Sequence, residues 1–429
     1  MADSIKVGII GFGIVGVGTY RALTRNADSI AARAGAPVVV TRIADVDWTR
    51  ERDLDAPEGL RTTDAMALVN DPEIDIVVET IGRITPAFDL VKAALSNGKS
   101  VVTSNKELIA RHGHELLALA EAKGADLAFE GAVGGVIPVI RSLKESLEAD
   151  RIVEVMGIVN GTTNYILTRM SQEGLEFDVA LAEAQKLGYA EADPTNDIEG
   201  YDARYKIAIL AASAFGLNVQ LDDIYVEGIT KITPQDIDYA KTMGYVIKLL
   251  AIARRGEGNR IEARVNPVML RDSHPLAAVN GVFNAIFVRG EGCDDVMLYG
   301  RGAGGAPTGV AVAGDVLDCA RNKLRGASGR VLCTCEQPAE VMPMAEVETK
   351  SYLRMRVKDR PGVLGSIATI FGTEGVSIAS VHQSATDGAV AEIVWVTHKN
   401  PESLLQSALG AISRLAIVEE VASTLRVED

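Results

Sequence analysis

Residues 5–16 of this 429-residue chain read IKVGIIGFGIVG. The apolar run from Ile5 to Ile10 predicts a buried parallel strand, and a helix fits from about Ile14 to Ala32. Between them lies a G-x-G-x-x-G motif. In this motif Gly11 allows the tight turn, Gly13 lets the backbone approach a pyrophosphate, and Gly16 lets the helix pack closely on the strand. A glycine-rich turn without a ligand is the less favoured alternative. We therefore predict a dinucleotide site made by Gly11, Phe12, Gly13, Ile14, Val15 and Gly16.

The next strand, Val38 to Ala44, ends at Asp45. An acid at this position commonly binds the 2′-hydroxyl of the adenosine ribose, although the spacing here exceeds the usual ~20 residues. Three arginines nearby could bind a 2′-phosphate instead: Arg42, Arg50 and Arg52. The choice between NAD and NADP therefore stays open, with Asp45 slightly favouring NAD.

Strand and helix patterns continue to alternate up to residue 130, which predicts a doubly wound parallel sheet. The predicted strands are 74–80, 100–104 and 125–130, and the predicted helices are 86–96 and about 106–123. Ligands of such sheets lie beyond the carboxyl ends of the strands, where Thr80, Gly82, Asn105 and Lys106 fall. We expect Lys106 to contact cofactor or substrate, the alternative being a surface lysine at a helix start.

Composition excludes several classes of protein. Asp and Glu number 58 against 43 Lys and Arg, so the formal net charge of −15 opposes binding to nucleic acid or anionic membranes. The longest apolar run, 207–217, is about half of the ~20 residues that a transmembrane helix needs. The N-terminus lacks the pattern of a signal peptide, which favours a cytoplasmic protein. The cysteines, Cys293, Cys319, Cys333 and Cys335, are expected to be reduced and structural.

Two glycine-rich or amide-rich segments in the middle could bind ions. Glu130 precedes GAVGGVIP (131–138), where a carboxylate and free carbonyls could hold a hard cation, although most such turns hold nothing. NGTTN (160–164) joins a strand, 151–159, to a helix, and its amides and hydroxyls suit a substrate carboxylate. Helix capping by Asn160 or Thr162 is the simpler explanation and is compatible with binding.

The most informative stretch is LGYAEADPTNDIEGYDARYK (187–206). Asp202 and Lys206 are four residues apart on a helix that continues as IAILAASAFG, so they share one face. A lysine entering an apolar helix beside an acid is either a buried ion pair or a general acid. Reduction of an aldehyde by a nicotinamide needs such a proton donor, and a lysine whose pKa is lowered by burial can serve. Glu191 and Asp197 could pair with a substrate ammonium, which points to an amino acid as substrate.

Six motifs together resemble the homoserine dehydrogenase family over essentially the whole chain. They are GFGIVG, SNKELIA, EGAVGGVIP, NGTTNYIL, LGYAEADPTNDIEGYDARYK and GRGAGGAPT. The resemblance implies reduction of L-aspartate 4-semialdehyde to L-homoserine with NADPH or NADH, on the route to threonine, methionine and isoleucine. One departure is Ala44-Asp45, where many members have Arg-Asp, and this puts the usual preference for NADP in doubt.

The resemblance also implies roles for individual residues. Lys206 would donate the proton, with Asp202 beside it and Lys106 near the nicotinamide. Glu191, assisted by Asp197, would bind the amino group of the substrate. Further substrate contacts would come from Gly161, Thr162 and Tyr189, and further cofactor contacts from Asp45, Thr80, Lys106 and Gly302. Sodium would be held by Glu130 and the carbonyls of Val133, Gly135 and Ile137.

We expect three domains. Residues 1–133, completed by about 301–335, would form a Rossmann-type nucleotide-binding domain, and 134–300 an α+β substrate and dimerisation domain. Residues 350–429 have the β-α-β-β-α-β order of a ferredoxin-like module and resemble an ACT domain. Its amino-acid-binding turn would be formed by Asp359, Gly362, Val363 and Leu364. We favour feedback inhibition by threonine as the function of this module over a role in dimerisation alone. The assembly is expected to be a homodimer or homotetramer. His382 and His398 are expected on strand surfaces.

Three other functions are disfavoured. An acyl-phosphate-forming aldehyde dehydrogenase needs a thiolate near the nicotinamide, and every cysteine lies at or beyond position 293. A fusion with aspartate kinase has no room before a fingerprint that begins at Gly11. A non-catalytic amino-acid sensor would not need Lys206, Glu191 and Lys106 together.

Overall fold

The computed structural model describes residues 4–332, 334–335, 337–385 and 390–429. The amino-terminal part is a parallel sheet in the order β3-β2-β1-β4-β5-β6. Its strands are β1 (Ile5–Ile10), β2 (Val38–Ala44), β3 (Arg61–Thr62), β4 (Ile76–Glu79), β5 (Ser100–Thr103) and β6 (Leu127–Ala128). Its helices are α1 (Ile14–Arg25), α2 (Ala27–Ala34), α3 (Ala65–Asn70), α4 (Ile84–Ser96) and α5 (Lys106–Ala122). The predicted doubly wound sheet is confirmed.

Each face of this sheet packs against its own core, because successive side chains of a strand point to opposite faces. Val77 contributes to the core under α3, α4 and α5. Its neighbour Val78 contributes to the core under α1, together with Val7 and Val17. Helices on both faces leave the carboxyl ends of the strands as the open edge for a ligand.

Local boundaries differ from the sequence prediction where polar side chains bind the backbone. The single helix predicted over 14–32 is wrong: α1 ends and α2 begins at Asn26, whose amide donates to the Ala22 carbonyl (3.2 Å). Such a bond competes with the helical pattern. The strand predicted over 125–130 is reduced to β6, and Glu130–Ala132 forms a 3-10 turn.

The middle of the chain forms one end of a larger sheet, in the order β13-β12-β7-β10-β11. The strands of this part of the chain are β7 (Ile152–Ile158), β8 (Leu217–Asn218), β9 (Tyr225–Val226), β10 (Tyr245–Arg255), β11 (Arg260–Arg271), β12 (Phe283–Gly290) and β13 (Asp294–Arg301). The short strand β8 lies outside the larger sheet and pairs with residues 337–338. The helices of this part are α6 (Val139–Arg141), α7 (Gly161–Glu173), α8 (Phe177–Lys186), α9 (Thr195–Ile198), α10 (Tyr201–Phe215) and α11 (Pro234–Thr242). A π-helical turn, Ser142–Ser146, continues α6.

After β13 the chain returns to the first sheet as α12 (Gly305–Leu324). This helix packs backbone to backbone on α1, because a Cβ at Gly309 would lie 2.4 Å from the Gly18 carbonyl carbon. Val312 and Val316 of α12 join the core that also contains Val7. Glycines at the crossing therefore bring residues beyond 304 against the fingerprint helix.

The carboxyl-terminal module has the sheet order β20-β16-β18-β17, and its ferredoxin-like prediction is confirmed. The remaining strands are β14 (Gln337–Pro338), β15 (Glu340–Val341), β16 (Glu348–Lys358), β17 (Ile378–Ala385), β18 (Val390–Thr397), β19 (Asn400–Pro401) and β20 (Val418–Glu428). Its helices are α13 (Val363–Thr373) and α14 (Glu402–Ile412). Because β20 also pairs with β11, this sheet is continuous with the sheet of the middle part.

Among the residues that the structure describes, every helix is too short or too polar to cross a bilayer. Cys293, Cys319 and Cys335 form no disulfide with one another, and Cys333 lies outside the described residues. His382 and His398 are exposed, as predicted.

Candidate active site

The turn between β1 and α1 has the geometry of a phosphate cradle. Gly11 has a φ of 89°, and a Cβ at Gly16 would lie 2.1 Å from the Gly11 carbonyl oxygen. At Gly13, the N-cap of α1, a Cβ would meet nothing within 4 Å, and no side chain caps the helix. The first amides of α1 thus face open space, as a pyrophosphate requires.

Neighbouring residues support this turn. The hydroxyl of Thr80 donates to the Gly11 carbonyl (2.7 Å), which ties the end of β4 to the fingerprint. Phe12 is fully buried, whereas Ile14 is 78% exposed beside the turn. Gly302, the predicted cofactor contact, packs against Asn284 and Gly135. Three residues later, Gly305 lies next to the Ile14 carbonyl and so contacts the turn between β1 and α1.

Asp45 lies at the end of β2, and its carboxylate is already hydrogen-bonded. It accepts from the amides of Phe12 (2.6 Å) and Asp47 (2.9 Å). The guanidinium of Arg52 lies 3.5 Å from Asp45 and donates to the carbonyl of Phe12. Its side chain is only 4% exposed, so Arg52 joins the loop after β2 to the turn after β1, whereas Arg42 and Arg50 are exposed.

The two lysines singled out in the sequence converge on one carboxylate. Lys106, the first residue of α5, places Nζ 2.8 Å from Asp202 Oδ1, and Lys206 places Nζ 2.6 Å from Asp202 Oδ2. Lys206 also donates to the Val159 carbonyl (2.6 Å). Burial alone would raise the pKa of Asp202, but the two ammonium groups lower it far below the usual range. Asp202 is therefore an anion that holds both lysines in place.

Asp197 belongs to the same cluster. The amide of Asn160 donates to Asp197 Oδ1 (2.7 Å) and to Asp202 Oδ2 (2.8 Å). Burial, and then the charge of Asp202, raise the pKa of Asp197. The attraction between Asp202 and Lys106 raises the pKa of Lys106. We call Lys106, Asp197, Asp202 and Lys206 the active-site cluster.

Helix ends fix the positions of these side chains. Asn105 caps α5, accepting from the Leu108 amide (3.1 Å), and donates to the Arg83 carbonyl (3.0 Å). Asn160 caps α7 through the Thr163 amide (2.9 Å). Gly200, with a φ of 84°, turns the chain into α10. Lys106 therefore begins a capped helix, and Gly200 provides the turn from which Asp202 and Lys206 follow on α10.

A cavity of 310 Å³ adjoins the cluster. Its lining comprises Gly82, Ser104, Asn105, Lys106, Glu107, Asn196 and Tyr205. The side chain of Lys106 is 38% exposed, whereas that of Lys206 is 11% exposed. None of the described cysteines lines this cavity, so the structure places no thiol beside Lys106.

The predicted substrate contacts lie next to the cluster along the chain. The hydroxyl of Thr162 donates to the Tyr189 carbonyl (2.6 Å), which holds Gly161–Thr162 against the 187–191 segment. Tyr189 is 42% exposed. Glu191 is exposed, and within the described part of the chain its carboxylate forms no ion pair and no hydrogen bond. The contacts of the active-site cluster do not include Glu191.

Sequence reasoning missed Glu79, the last residue of β4, which is fully buried. Its carboxylate accepts from the Ile81 amide and the Thr103 hydroxyl, both at 2.6 Å. Burial raises the pKa of Glu79. It joins the loop after β4 to the loop after β5, and so positions Thr80 and Lys106. An acid at the end of the apolar run IDIVVE was the available signal.

Glu130 acts as a helix cap. Its carboxylate accepts from the amides of Ile140 (2.8 Å) and Arg141 (2.9 Å), and its own amide donates to Asp315 (2.8 Å). Burial raises the pKa of Glu130, and raises that of Asp315 to about 8. The Ile137 carbonyl accepts from the Val139 amide, whereas those of Val133 and Gly135 accept no hydrogen bond from described residues. The described residues contain no cluster of three His, Cys, Asp or Glu suited to a metal.

The turn of the carboxyl-terminal module is a separate surface feature. Gly362 has a φ of 88° and precedes α13. Asp359, Gly362 and Leu364 are exposed, and Val363, the first residue of α13, is buried. Arg360 and Pro361, between them, are exposed as well, so the turn lies at the surface.

Comparison with known proteins connects these features. Family models match in chain order: "Homoserine dehydrogenase, NAD binding domain" at residues 11–130, "Homoserine dehydrogenase" at 138–317 and "ACT domain" at 351–416. The homoserine dehydrogenase of Mycobacterium tuberculosis is 46% identical over 99% of this chain and 98% of its own length.

Two solved structures extend the comparison. A crystal structure of a homoserine dehydrogenase from Thiobacillus denitrificans is 44% identical, with a TM-score of 0.94 over 100% of this chain and 99% of that one. A hyperthermophilic archaeal homoserine dehydrogenase mutant in complex with NADPH is 30% identical, with a TM-score of 0.62 over 75% of this chain and 98% of that one.

Proposed function

This chain belongs to the homoserine dehydrogenase family, and from that premise we propose how its residues carry out the reaction. It is an NAD(P)-dependent oxidoreductase that acts on the CH–OH group of homoserine and, in reverse, reduces L-aspartate 4-semialdehyde. The observation that supports our assignment of roles is that one buried carboxylate, Asp202, is shared by Lys206 and by Lys106, and that Lys106 lines the 310 Å³ cavity.

The nicotinamide, when bound, supplies hydride to the aldehyde carbon or accepts it from the alcohol. Negative charge then develops on the substrate oxygen, which needs a proton. Lys206 donates this proton from Nζ, while Asp202 and the Val159 carbonyl hold that nitrogen in place. Lys106, more exposed at the cavity, orients the carbonyl oxygen by hydrogen bonding.

Two tests separate the lysines. Lys206→Met should abolish most turnover at every pH, whereas Lys106→Met should mainly raise the KM for homoserine. The check is a spectrophotometric assay of homoserine oxidation over a range of pH. Near-normal turnover of Lys206→Met together with loss of turnover in Lys106→Met would reverse the two roles.

For the substrate, we propose that Glu191 and Asp197 bind the ammonium group and that Gly161, Thr162 and Tyr189 surround the carboxylate. Glu191 has no protein partner within the described chain, so a substrate ammonium can pair with it without displacing another contact. Asp197, whose pKa is raised by burial, gains a counter-charge when the ammonium arrives. Amides at the start of α7 favour an anion.

For the cofactor, we propose preferential use of NAD. Asp45 is fixed as a carboxylate acceptor by two amides, and its charge opposes a 2′-phosphate. The donors of Arg52 are engaged by the carbonyls of Phe12, Arg50 and Asp47, so a compensating charge for a 2′-phosphate would come from Arg42 or Arg50. Side-by-side assays with NAD and NADP test this, and Asp45→Asn should raise the relative use of NADP; a wild-type preference for NADP would contradict it.

We also propose a sodium site at the Glu130 turn, held through backbone carbonyls. Val133 and Gly135 have carbonyls without hydrogen bonds from described residues, and such oxygens suit a hard cation. Glu130 and Ile137, already hydrogen-bonded, would contribute remaining lone pairs. Activity in sodium, potassium and tetramethylammonium chlorides at constant ionic strength tests this; equal rates would exclude a functional site.

We propose three domains, formed by residues 1–133 with 301–335, by 134–300 and by 350–429, and an assembly that is a homodimer or a homotetramer.

We also propose that the ACT domain binds threonine at Asp359, Gly362, Val363 and Leu364. The test uses the full chain, because β20 completes the sheet beside β11. Threonine should inhibit the wild type and inhibit Asp359→Ala less. Glu374→Ala is the control at the other end of α13; Glu374 accepts from the Ser407 hydroxyl (2.6 Å), away from the turn, and the variant should be inhibited as the wild type is.

A further inference from the structure

A second cavity, of 610 Å³, lies between α5, α10 and the 139–152 segment. It shares no lining residue with the 310 Å³ cavity beside Lys106. Its volume falls within the ~300–1,000 Å³ typical of small-molecule sites. Nothing in the reaction of homoserine requires it.

One part of the wall of this cavity is apolar. Leu117 comes from α5, Ile209 and Phe215 come from α10, and Phe129 and Leu143 come from the segments on either side of Glu130. Covering these apolar side chains with an aliphatic or aromatic group is favourable, because it removes apolar surface from water.

Charge in the lining is predominantly positive. Four basic residues, Arg111, Lys144, Arg151 and Arg255, face two acidic residues, Glu148 and Asp150. Asp150 is already engaged, because its carboxylate accepts from the amides of Gly292 (2.9 Å) and Cys293 (2.8 Å). Arg111 and Arg151 are paired with Glu107 and Glu291 outside the lining, whereas the hydrogen-bond partners of Arg255 are neutral carbonyls. An anion would therefore pair with Arg255.

Arg255, at the end of β10, is the anchor. Its Nε donates to the Ile152 carbonyl (3.0 Å) and its Nη2 to the Phe215 carbonyl (3.1 Å), while the guanidinium lies 4.9 Å from the Phe215 ring centroid. Both hydrogen-bond partners are neutral, and within the described residues Arg255 forms no ion pair. A guanidinium fixed in this way retains donors in the planar arrangement that matches a carboxylate.

We propose that this cavity binds an amphipathic organic anion, a carboxylate with an aliphatic or aromatic tail, whose charge pairs with Arg255. The tail lies along the apolar walls. The occupant is a small molecule, because the cavity has the volume of a small-molecule site and the charged anchor lies among its walls.

Such a ligand would regulate the enzyme, because both helices that line the cavity also carry the active-site cluster. Lys106 begins α5, and Asp202 and Lys206 lie in the first two turns of α10. Between the cluster and the cavity, Arg111 lies 5.9 Å from the Tyr205 ring, and Tyr205 donates to Glu107 (3.2 Å). A ligand that changes the spacing of α5 and α10 changes the 2.8 Å contact between Lys106 and Asp202.

The test uses the full chain in its native assembly and an anionic fluorescent probe, 8-anilinonaphthalene-1-sulfonate, with decanoate as competitor. Wild type should bind the probe saturably, and neither NADP nor homoserine should displace it. Arg255→Met should weaken binding by about tenfold to hundredfold, the range for a hydrogen bond to a charged group. Ala212→Leu, which fills the cavity from α10, should abolish it.

Arg271→Met is the matched control. Arg271 also lies over an aromatic ring, that of Tyr245 at 5.1 Å, but it does not line the cavity. Its probe affinity should equal that of the wild type. Saturating decanoate should alter kcat of the wild type and of Arg271→Met, and leave kcat of Arg255→Met unchanged.

Three results would overturn the proposal: no saturable binding by wild type, displacement of the probe by NADP or homoserine, or equal affinity in Arg255→Met and Arg271→Met. If Arg255→Met does not fold, Ala212→Leu decides through the same titration. A rate unaffected by bound decanoate would overturn the regulatory part alone.

Discussion

Two buried ion clusters of this protein have similar ingredients and opposite surroundings. The active-site cluster places one carboxylate, Asp202, between two lysines. The second, which we call the interdomain cluster, consists of Arg354, Asp236 and Glu392 and places one guanidinium between two carboxylates. Arg354 and Glu392 belong to β16 and β18, and Asp236 to α11, so this cluster joins the ACT domain to the middle part.

The interdomain cluster is closed. Arg354 Nε lies 2.8 Å from Asp236, which is fully buried, and Nη1 lies 3.1 Å from Glu392. Tyr352 donates to Asp236 (3.2 Å) and Tyr239 donates to Glu392 (2.6 Å). Its three residues line neither the 610 Å³ cavity nor the 310 Å³ cavity, whereas Lys106 lines the latter.

The difference teaches that burial and pairing do not by themselves identify a functional charge. A planar guanidinium saturated by neighbours stabilises one arrangement, whereas an ammonium is a point charge that can exchange partners. What distinguishes the active-site cluster is that Lys106 opens onto a cavity and that two cations share one of its carboxylates, Asp202. Loss of a charge should therefore affect turnover at one cluster and folding at the other.

The largest effect is expected at Lys206. Lys206→Ala removes the proton donor, and general acid catalysis contributes about 10²- to 10⁴-fold, so kcat should fall by that factor. Cofactor binding, followed by NADH fluorescence, should be retained. Lys99→Ala is the control: this buried lysine donates to the Ile74 carbonyl (2.6 Å) at the amino end of β5, away from the cavity. Equal loss of kcat in both variants would contradict the distinction.

At the interdomain cluster the corresponding change should affect stability. Arg354→Met leaves Asp236 and Glu392 buried without a cation, which costs about 3–5 kcal/mol of unfolding free energy. Urea denaturation of the full chain measures it, and kcat of the folded fraction should stay within about twofold. Arg356→Met, on the same strand, is the control because its side chain is 50% exposed and its pair with Glu420 spans 3.8 Å. If the two variants were equally stable, the cluster would not hold the domains together.

Lowering the pH should weaken the same interface between the ACT domain and the middle part. Two arginines, Arg254 and Arg264, outweigh burial and lower the pKa of Glu428 to about 2, from 4.5. A depressed pKa gives stability that is present above about pH 4.5 and is lost as pH falls towards 2. Glu428→Gln should lower stability at pH 7 by about 1.5–3 kcal/mol and flatten its decline in acid. Glu420→Gln, 57% exposed, should keep the wild-type pH profile, and identical profiles for both variants would exclude Glu428 as the source.

Much of this could be predicted from local pattern. The parallel sheet follows from alternating strand and helix signals, and the pairing of Asp202 with Lys206 follows from their spacing along one helix. The meeting of Lys106 with Asp202 could not be predicted, because it depends on how α5 packs against α10. The pairing of Arg354 with Asp236 could not be predicted for the same reason, because no sequence periodicity relates β16 to α11.

The smallest effect is expected within the 187–206 segment, where one carboxylate has hydrogen-bond partners and a nearby carboxylate has none. Asp193 accepts from the amide (3.1 Å) and hydroxyl (2.6 Å) of Thr195, whereas Glu191 has no such partner among described residues. If an unengaged carboxylate is the one reserved for the substrate ammonium, Glu191→Gln should raise the KM for homoserine about tenfold, the value of one charged hydrogen bond, with kcat nearly unchanged. Asp193→Asn should leave KM unchanged, because its charge stabilises only its own turn. Steady-state kinetics of both variants decide it: an unchanged KM in Glu191→Gln would mean that Asp197 alone binds the ammonium.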